Sequence, residues 1–212
     1  MGGGGSFEVF LLGLSRRSRP RICFLATASG DNPSNIVMFY ERFRELDCEP
    51  THLRLFGMPE GPARVIAEQD IVLVSGGNTA NMLAIWRLHG IDAALHRAWE
   101  GGAVLAGGSA GANCWFEGSV TDSFGPQLAP LADGLGLLAG SFCPHYDGEA
   151  LRRPTYTRLV ADGALPPGIA CDDGAAALYE GSELREVVVT TDGAAAYRVT
   201  ADGEARIEPR RL

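Results

Sequence analysis

The fold is constrained most by a repeated order of short apolar runs, each followed by a loop and then by a helical pattern. Apolar runs at 21–26, 70–74 and 103–106 predict buried strands, and an alternating run at 51–56 predicts another. Strands that alternate with helices predict an α/β fold with a mostly parallel sheet, flanked by helices on both faces. Beyond Gly168 the runs become shorter and are separated by turn residues. They predict antiparallel strands at the edge of the sheet.

The length, net charge and composition of the sequence argue against several classes of protein. A length of 212 residues suits a single domain over 1–212, and a net charge of −8 without a large basic cluster argues against nucleic acid as a partner. No apolar run approaches the ~20 residues that span a bilayer, and the N-terminus lacks the layout of a secretion signal. The five cysteines form no C-x-x-C pair, which predicts reduced thiols. We therefore expect a cytoplasmic protein that binds neither nucleic acid nor membranes.

Three loops rich in glycine or polar residues follow predicted strands, at 27–33, 75–79 and 107–111. The carboxyl ends of parallel strands meet at one edge of a sheet, and ligands bind in the crevice there. The convergence of these loops predicts an active site.

The loop at 107–111 reads Gly-Gly-Ser-Ala-Gly and fits G-x-S-x-G, the nucleophile elbow. In this motif Ser109 would lie on a sharp turn between a strand and a helix. Glycine is needed on both sides because a side chain there would collide with the neighbouring strand or helix. The helix that follows would direct its free N–H groups and positive dipole end at the serine. The alternative is a serine in a tight packing turn, since a chain with 28 glycines produces the motif by chance.

A serine nucleophile needs a base, and His145 is the candidate. It follows an apolar strand and a proline, whereas the other histidines, His52, His89 and His96, lie within predicted strands or helices. The alternative is a loop histidine with a structural role. An imidazole base also needs a carboxylate to orient it. Asp122 is the first choice because it gives the order Ser, acid, His of elbow enzymes on α/β sheets. A turn or capping role is its alternative, and the weaker candidates are Glu117, Asp133 and Asp147.

Four groups of residues together resemble the peptidase E (aspartyl dipeptidase) family of serine peptidases, which includes the cyanophycinases. They are Gly-Gly-Asn-Thr at 76–79, Gly-Ser-Ala-Gly-Ala-Asn at 108–113, Thr121-Asp122 and Pro144-His145-Tyr146. The similarity extends from about residue 21 to residue 178. It implies a fold like that of the class I glutamine amidotransferases, which is flavodoxin-like. It also implies a triad of Ser109, His145 and Asp122. Asp122 lies in the segment 117–133, which the sequence predicts as a loop and which is shorter than in typical aspartyl dipeptidases.

The resemblance implies further site residues. The backbone N–H groups of Gly77 and Ala110 would form the oxyanion hole. Asn78, Arg152, Arg153 and Asp173 would contact substrate. Each has an alternative: Asn78 as a helix N-cap, the arginines as solvated surface residues, and 172–174 as a hairpin turn, one of whose carboxylates could instead support the histidine. The run Gly2–Gly5 resembles a glycine loop of some relatives, which favours native sequence over a tag, although the strand that precedes this loop in them is absent.

The resulting hypothesis is a serine peptidase that hydrolyses short peptides, including Asp-Xaa, through an acyl-enzyme. The alternatives are a cyanophycinase-like or broader short-peptide hydrolase, and a non-catalytic amidotransferase-like binding domain. Glutamine amidotransferases themselves carry a cysteine at the elbow, where this chain has Ser109. No metal or cofactor is implied. The sequence leaves open the preferred substrate residue and the oligomeric state, a homodimer included.

Overall fold

A computed structural model describes residues 6–57 and 60–212, which divide into two compact units, Phe7–Gly111 and Ala112–Leu212, with Ser6 grouped with the second. The single domain expected over 1–212 stays a prediction. The glycine run Gly2–Gly5 lies outside the described residues.

The first unit is a four-stranded parallel sheet with helices between its strands. The strand order is β2-β1-β3-β4. The strands are β1 (Arg21–Leu25), β2 (Glu49–Leu53), β3 (Ile71–Val74) and β4 (Val104–Gly107). The helices are α1 (Phe7–Gly13), α2 (Pro33–Phe43), α3 (Pro62–Ala67), α4 (Thr79–His89) and α5 (Ile91–Glu100), and α6 (Ala110–Asn113) begins at its end.

Local sequence signals set several of these helix boundaries. Pro33 occupies the first turn of α2, and the Asn32 side chain caps that helix by accepting the N–H of Ser34. Gly90 adopts a left-handed conformation that ends α4 and starts α5, as the sequence predicted. Inside, Phe24 of β1 stacks on Phe39 of α2 with ring centroids 4.9 Å apart. The apolar runs therefore form the buried core that their pattern predicts.

The chain passes from β1 outward to β2 and then crosses back to β3 on the other side of β1. The direction in which strands are added therefore reverses between β1 and β3. In open α/β sheets with this flavodoxin-like order, ligands bind outside the carboxyl ends of the strands at such a switch point. The loops that follow β1, β3 and β4 begin there, and they are the three loops singled out from the sequence.

The second unit contains a six-stranded mixed sheet in the order β12-β11-β8-β7-β5-β6 and a three-stranded sheet in the order β13-β10-β9. In the larger sheet the central strands β5, β7 and β8 are parallel, and β6, β11 and β12 pair antiparallel at its edges. The elements are β5 (Phe116–Thr121), β6 (Ala129–Leu131), β7 (Leu138–Cys143), α7 (Arg152–Ala161), β8 (Gly168–Cys171), β9 (Ala175–Glu180), β10 (Glu183–Val189), β11 (Ala196–Thr200), β12 (Gly203–Ile207) and β13 (Arg210–Arg211).

The α/β fold with a parallel sheet, flanking helices and antiparallel edge strands is therefore confirmed, but one local prediction is wrong and one strand was not predicted. The segment 117–133, predicted as a loop, contains β5 and β6. Its buried strand residues include Gly118, Ser119 and Thr121, and these small or polar side chains hide a strand that hydropathy would otherwise reveal. The strand β8, which the sequence pattern does not predict, is parallel and central in its sheet, whereas β9, β10 and β11 pair antiparallel as predicted. No helix within the described residues is both long and apolar enough to cross a membrane.

Candidate active site

Ser109 lies on a strained turn between β4 and α6. Its φ angle is 54°, in the left-handed region that residues other than glycine rarely adopt. Such a conformation costs of order 1–3 kcal/mol and persists only where the surrounding structure imposes it. Strain of this kind clusters at functional sites, although Asp31, at a φ of 55°, also has it. The role of Ser109 as a nucleophile stays a prediction.

The glycines on either side of Ser109 are required sterically. A Cβ added at Gly107 would lie 2.3 Å from the carbonyl oxygen of Gly111, and one added at Gly111 would lie 2.4 Å from the carbonyl oxygen of Val74 in β3. Real Cβ atoms do not approach that closely, so any larger residue would displace the backbone of the turn. This is the collision with strand and helix that the sequence motif predicted.

The loop after β3 passes directly beside the serine. A Cβ at Gly76 would lie 3.3 Å from Ser109 Cβ. Gly77 has a φ of 139°, and a Cβ there would lie 2.2 Å from the carbonyl oxygen of Ala28. The Asn78 N–H donates to that same carbonyl oxygen at 2.8 Å. The loops after β1, β3 and β4 are thus packed backbone to backbone around Ser109, and only glycine fits at the closest approach.

The oxyanion hole expected at the backbone N–H groups of Gly77 and Ala110 stays a prediction. Within the described part of the chain, neither the Gly77 N–H nor the Ala110 N–H has a hydrogen-bond partner. The helix predicted after the serine is a single turn, however, because α6 spans only Ala110–Asn113. A macrodipole needs several aligned turns, so stabilisation of an anion here would rest on individual N–H groups.

The Asn78 side chain has a structural role. Its Oδ1 accepts the N–H of Asn81 at 2.8 Å and caps α4, which is the alternative that the sequence left open. Contact of Asn78 with substrate stays a prediction.

In the second unit, His145 lies just beyond the end of β7, and its φ is 55°. Strand β7 lies between two parallel neighbours, β8 and β5. Cys143 of β7 pairs with Ala170 of β8, and Phe142 of β7 pairs with Ser119 of β5. Continuing both registers places His145 between the end of β8, which leads into Asp173, and the end of β5, which leads into Asp122. Either carboxylate could therefore reach the ring, and the side-chain contacts decide between them.

The His145 ring is bonded to Asp173. Nδ1 lies 2.7 Å from Asp173 Oδ1, with 30 % of the His145 side chain and 60 % of the Asp173 side chain exposed. The Asp173 N–H donates to Asp147 Oδ1 at 2.8 Å, which fixes the backbone that carries the carboxylate. A Cβ at Gly148 would lie 2.1 Å from Asp173 Oδ2, so a glycine there leaves room for the carboxylate. Sequence reasoning missed Gly148, and nothing in its local pattern marks it.

The Asp122 carboxylate faces a different partner, 3.9 Å from the guanidinium of Arg152. Arg152 is 3 % exposed, so it is not a solvated surface arginine. It donates to the Val120 carbonyl oxygen at 3.0 Å and to Glu149 Oε2 at 2.7 Å. These bonds link the end of β5 to the turn after His145. The arginine predicted to contact substrate is thus engaged inside the unit.

Arg153 is also occupied by groups of its own unit. Its guanidinium donates to Glu204 of β12 and lies over the rings of Tyr146 and Tyr197, 5.1 and 5.0 Å from their centroids. His52 and His96 contact neighbouring side chains of the first unit. His52 is bonded to the Tyr40 hydroxyl at 2.9 Å, and His96 lies 3.4 Å from Glu100.

Comparison with known proteins identifies the family of the chain. The sequence profile of peptidase family S51 matches residues 5–187. The chain belongs to this family. It is 48 % identical over 208 residues to the uncharacterized peptidase YgaJ of Bacillus subtilis (strain 168), an alignment that covers 94 % of this chain and 90 % of YgaJ. The resemblance to the peptidase E family that the sequence motifs indicated is therefore confirmed. This S51 protein is a peptidase of the peptidase E type.

Two further relatives carry the name peptidase E. The enzyme of Shewanella denitrificans is 28 % identical over 171 residues, which cover 76 % of this chain and 71 % of that protein. A crystal structure of a protein named as a peptidase E, from Listeria monocytogenes EGD-e, superposes with a TM-score of 0.63 at 17 % identity. That superposition covers 86 % of this chain and 92 % of the other, and at this identity it supports the fold alone.

Proposed function

We propose that this S51 peptidase is a serine peptidase of short peptides, with Ser109 as nucleophile and His145 as general base. The observation that carries the proposal is the 2.7 Å contact between His145 Nδ1 and Asp173 Oδ1. A ring that donates its Nδ1–H to a carboxylate presents Nε2 as the basic nitrogen, and the carboxylate stabilises the imidazolium that forms. The strained turn at Ser109 supports the role of that residue.

In the proposed reaction, His145 Nε2 takes the Ser109 proton while Oγ attacks the peptide carbonyl. The N–H groups of Gly77 and Ala110 stabilise the oxyanion. The imidazolium then gives its proton to the leaving amine, and an acyl-enzyme remains. A water molecule, deprotonated by the same ring, hydrolyses this ester and restores the serine.

We assign the acid of the proposed triad to Asp173 rather than to Asp122. Support comes from the contacts of each carboxylate, since Asp173 bonds the His145 ring and Asp122 lies beside Arg152. Support of the histidine was one of the two roles that the sequence left open for a carboxylate of the 172–174 turn. We propose this role for Asp173.

Asp-Xaa dipeptides are the proposed first substrates, on the strength of the resemblance to aspartyl dipeptidases. Arg152 and Arg153 are bonded to Glu149 and Glu204, so neither is proposed as the cation that holds a substrate carboxylate. A broader range of short peptides is the alternative that a substrate panel would detect.

The test combines a dipeptide panel with covalent labelling by a fluorophosphonate, a reagent that phosphonylates activated serines with loss of fluoride. We expect the wild-type protein to hydrolyse Asp-Xaa peptides and to be labelled on Ser109. Ser109→Ala should lose both properties, and His145→Ala should lose most of the labelling because the serine is no longer activated. Ser34→Ala, at an exposed serine of α2, is the matched control and should retain both. Hydrolysis that survives Ser109→Ala would overturn the proposal.

A further inference from the structure

The hairpin of β11 and β12, near the C-terminal end, makes side-chain hydrogen bonds with the segment that follows His145. Glu204 of β12 accepts a hydrogen bond from the hydroxyl of Tyr146, the residue directly after His145. It also accepts two from Arg153, in the first turn of α7, one of them from Nε at 3.2 Å. Both strands of the hairpin lie beyond residue 187, where the match to the family ends.

These contacts form a compact cluster, which we call the Glu204 latch and define as Glu204, Tyr146, Arg153 and Tyr197. The rings of Tyr146 and Tyr197 lie 5.3 Å apart, and the Arg153 guanidinium lies over both. Tyr146 is only 1 % exposed, so its hydroxyl would be costly to leave unbonded. A negative acceptor that bonds both a buried hydroxyl and a guanidinium makes charge-assisted bonds, the stronger kind.

The ionisation states of Tyr146 and Glu204 keep Tyr146 a hydrogen-bond donor and Glu204 an acceptor. Burial, together with the hydrogen bond to Glu204, raises the pKa of Tyr146, so the phenol remains a donor. Burial alone would raise the pKa of Glu204, but the hydrogen bonds from Arg153 and Tyr146 outweigh it and hold the pKa below its ordinary value. Glu204 therefore remains an acceptor across the neutral range.

The backbone of His145, the residue directly before Tyr146, has an unusual conformation. A histidine at a φ of 55° lies in the left-handed region, which persists only where the surrounding structure imposes it. The bonds on both sides of it supply the restraint: its carbonyl oxygen accepts the Glu149 N–H at 3.1 Å, and the Tyr146 N–H donates to the Cys171 carbonyl oxygen at 3.0 Å. The Tyr146 side chain adds a third restraint, because its hydroxyl donates a hydrogen bond to Glu204.

We infer that Glu204 is a positioning residue for His145, acting through Tyr146 and Arg153. The inference rests on the proposed role of His145 as base. By fixing Tyr146, the latch holds the imidazole in line with Asp173 and sets the direction of Nε2. A hairpin outside the matched family region thereby tunes the geometry of the catalytic base.

Two substitutions test the latch with little change in volume. Glu204→Gln removes the charge of the acceptor, and Tyr146→Phe removes only the hydroxyl. We expect each to lower kcat on the best dipeptide by roughly tenfold, less than the ~10²-fold that a full 1 Å misplacement can cost, with KM changed less than kcat. The double variant should lose less than the sum of the two single losses, because both substitutions weaken the same contact between Tyr146 and Glu204.

A second readout does not depend on turnover. The proton in the bond between His145 and Asp173 should give a downfield ¹H NMR signal, and we expect it to shift or broaden in both variants. Glu208→Gln is the matched control, since Glu208 lies just beyond β12 and pairs with Arg206 on the exposed surface. It should leave kcat and the signal unchanged.

The outcomes separate the inference from the proposed function. If Glu204→Gln and Tyr146→Phe lower thermal stability yet keep wild-type kcat and the wild-type His145 signal, the latch is only structural and the inference is wrong. If Glu204→Gln does not fold, Tyr146→Phe decides by the same two readouts. If Ser109→Ala still hydrolyses peptides, the proposed function fails, while the NMR signal still shows whether the latch orients His145.

Discussion

Replacing the carboxylate beside His145 provides the most direct check of the proposed machinery. Asp173→Asn keeps the size of the side chain but removes its charge, and its amide can donate to Nδ1 and so stabilise the wrong tautomer of the ring. Since Asp173 Oδ1 is the partner of His145 Nδ1 at 2.7 Å, we expect the substitution to impair the base directly.

The expected size of the effect follows from distance and exposure. Two unit charges ~4 Å apart attract by about 1 kcal/mol in bulk water and about 4 kcal/mol at the effective dielectric of a protein surface. The Asp173 side chain is well exposed and the His145 side chain less so, which places the imidazolium–carboxylate pair between these limits, at ~2–3 kcal/mol. We therefore expect kcat/KM to fall by about 10²-fold, less than the ~10⁴-fold known for a buried triad aspartate.

The assay is steady-state hydrolysis of the best dipeptide, with Asp122→Asn as the matched control. Asp122 lies 3.9 Å from Arg152 and its side chain is exposed, so loss of that ion pair should cost at most ~1 kcal/mol and less than about fivefold in rate. A loss of ~10²-fold in Asp122→Asn, with near-normal rates in Asp173→Asn, would refute the assignment. It would restore Asp122 as the acid expected from the chain order.

Two further predictions concern the neighbours of Asp173. Gly148→Ala should lower kcat with little change in thermal stability, because the added methyl would lie 2.1 Å from Asp173 Oδ2 and displace an exposed carboxylate; an unchanged kcat would show that the site tolerates the shift. Burial raises the pKa of Asp172, so its contribution to folding is most favourable at acid pH and is lost as the pH rises through that raised value. Asp172→Asn should therefore flatten this part of the pH dependence of the free energy of unfolding, measured by urea titration at acid and neutral pH, and an unaltered slope would contradict the argument.

The first unit could be predicted from the sequence in most respects because its signals are local. Its strands are apolar runs bounded by turn residues, and the helix boundary at Gly90 follows from the left-handed conformation of one glycine. The requirement for glycine at 107 and 111 likewise comes from contacts within a few residues of Ser109 and with the adjacent strand β3. Hydrophobic periodicity and turn chemistry contain this information.

The partner of His145 could not be settled in the same way because it depends on strand neighbours. The short run Gly168–Cys171 looks like one of the edge strands that follow it, yet it pairs in parallel with β7 and brings the 172–174 turn beside His145. Strand β5, on the other side, has small and polar buried residues and was hidden by them. With both neighbours of β7 unrecognised, chain order was the remaining guide, and it favoured Asp122.

The two proposed catalytic residues share a backbone strain that gives a prediction independent of turnover. At ordinary helical positions, such as His96 in α5, glycine is less stable than alanine by ~1 kcal/mol. At Ser109, with a φ of 54°, this order should reverse, because alanine retains the strain that glycine avoids. Urea titration should therefore find Ser109→Gly more stable than Ser109→Ala by about 1 kcal/mol, with both inactive and with His96→Gly less stable than His96→Ala. If both sites favour alanine equally, the turn at Ser109 stores no strain, and its unusual conformation cannot be counted in support of a nucleophile.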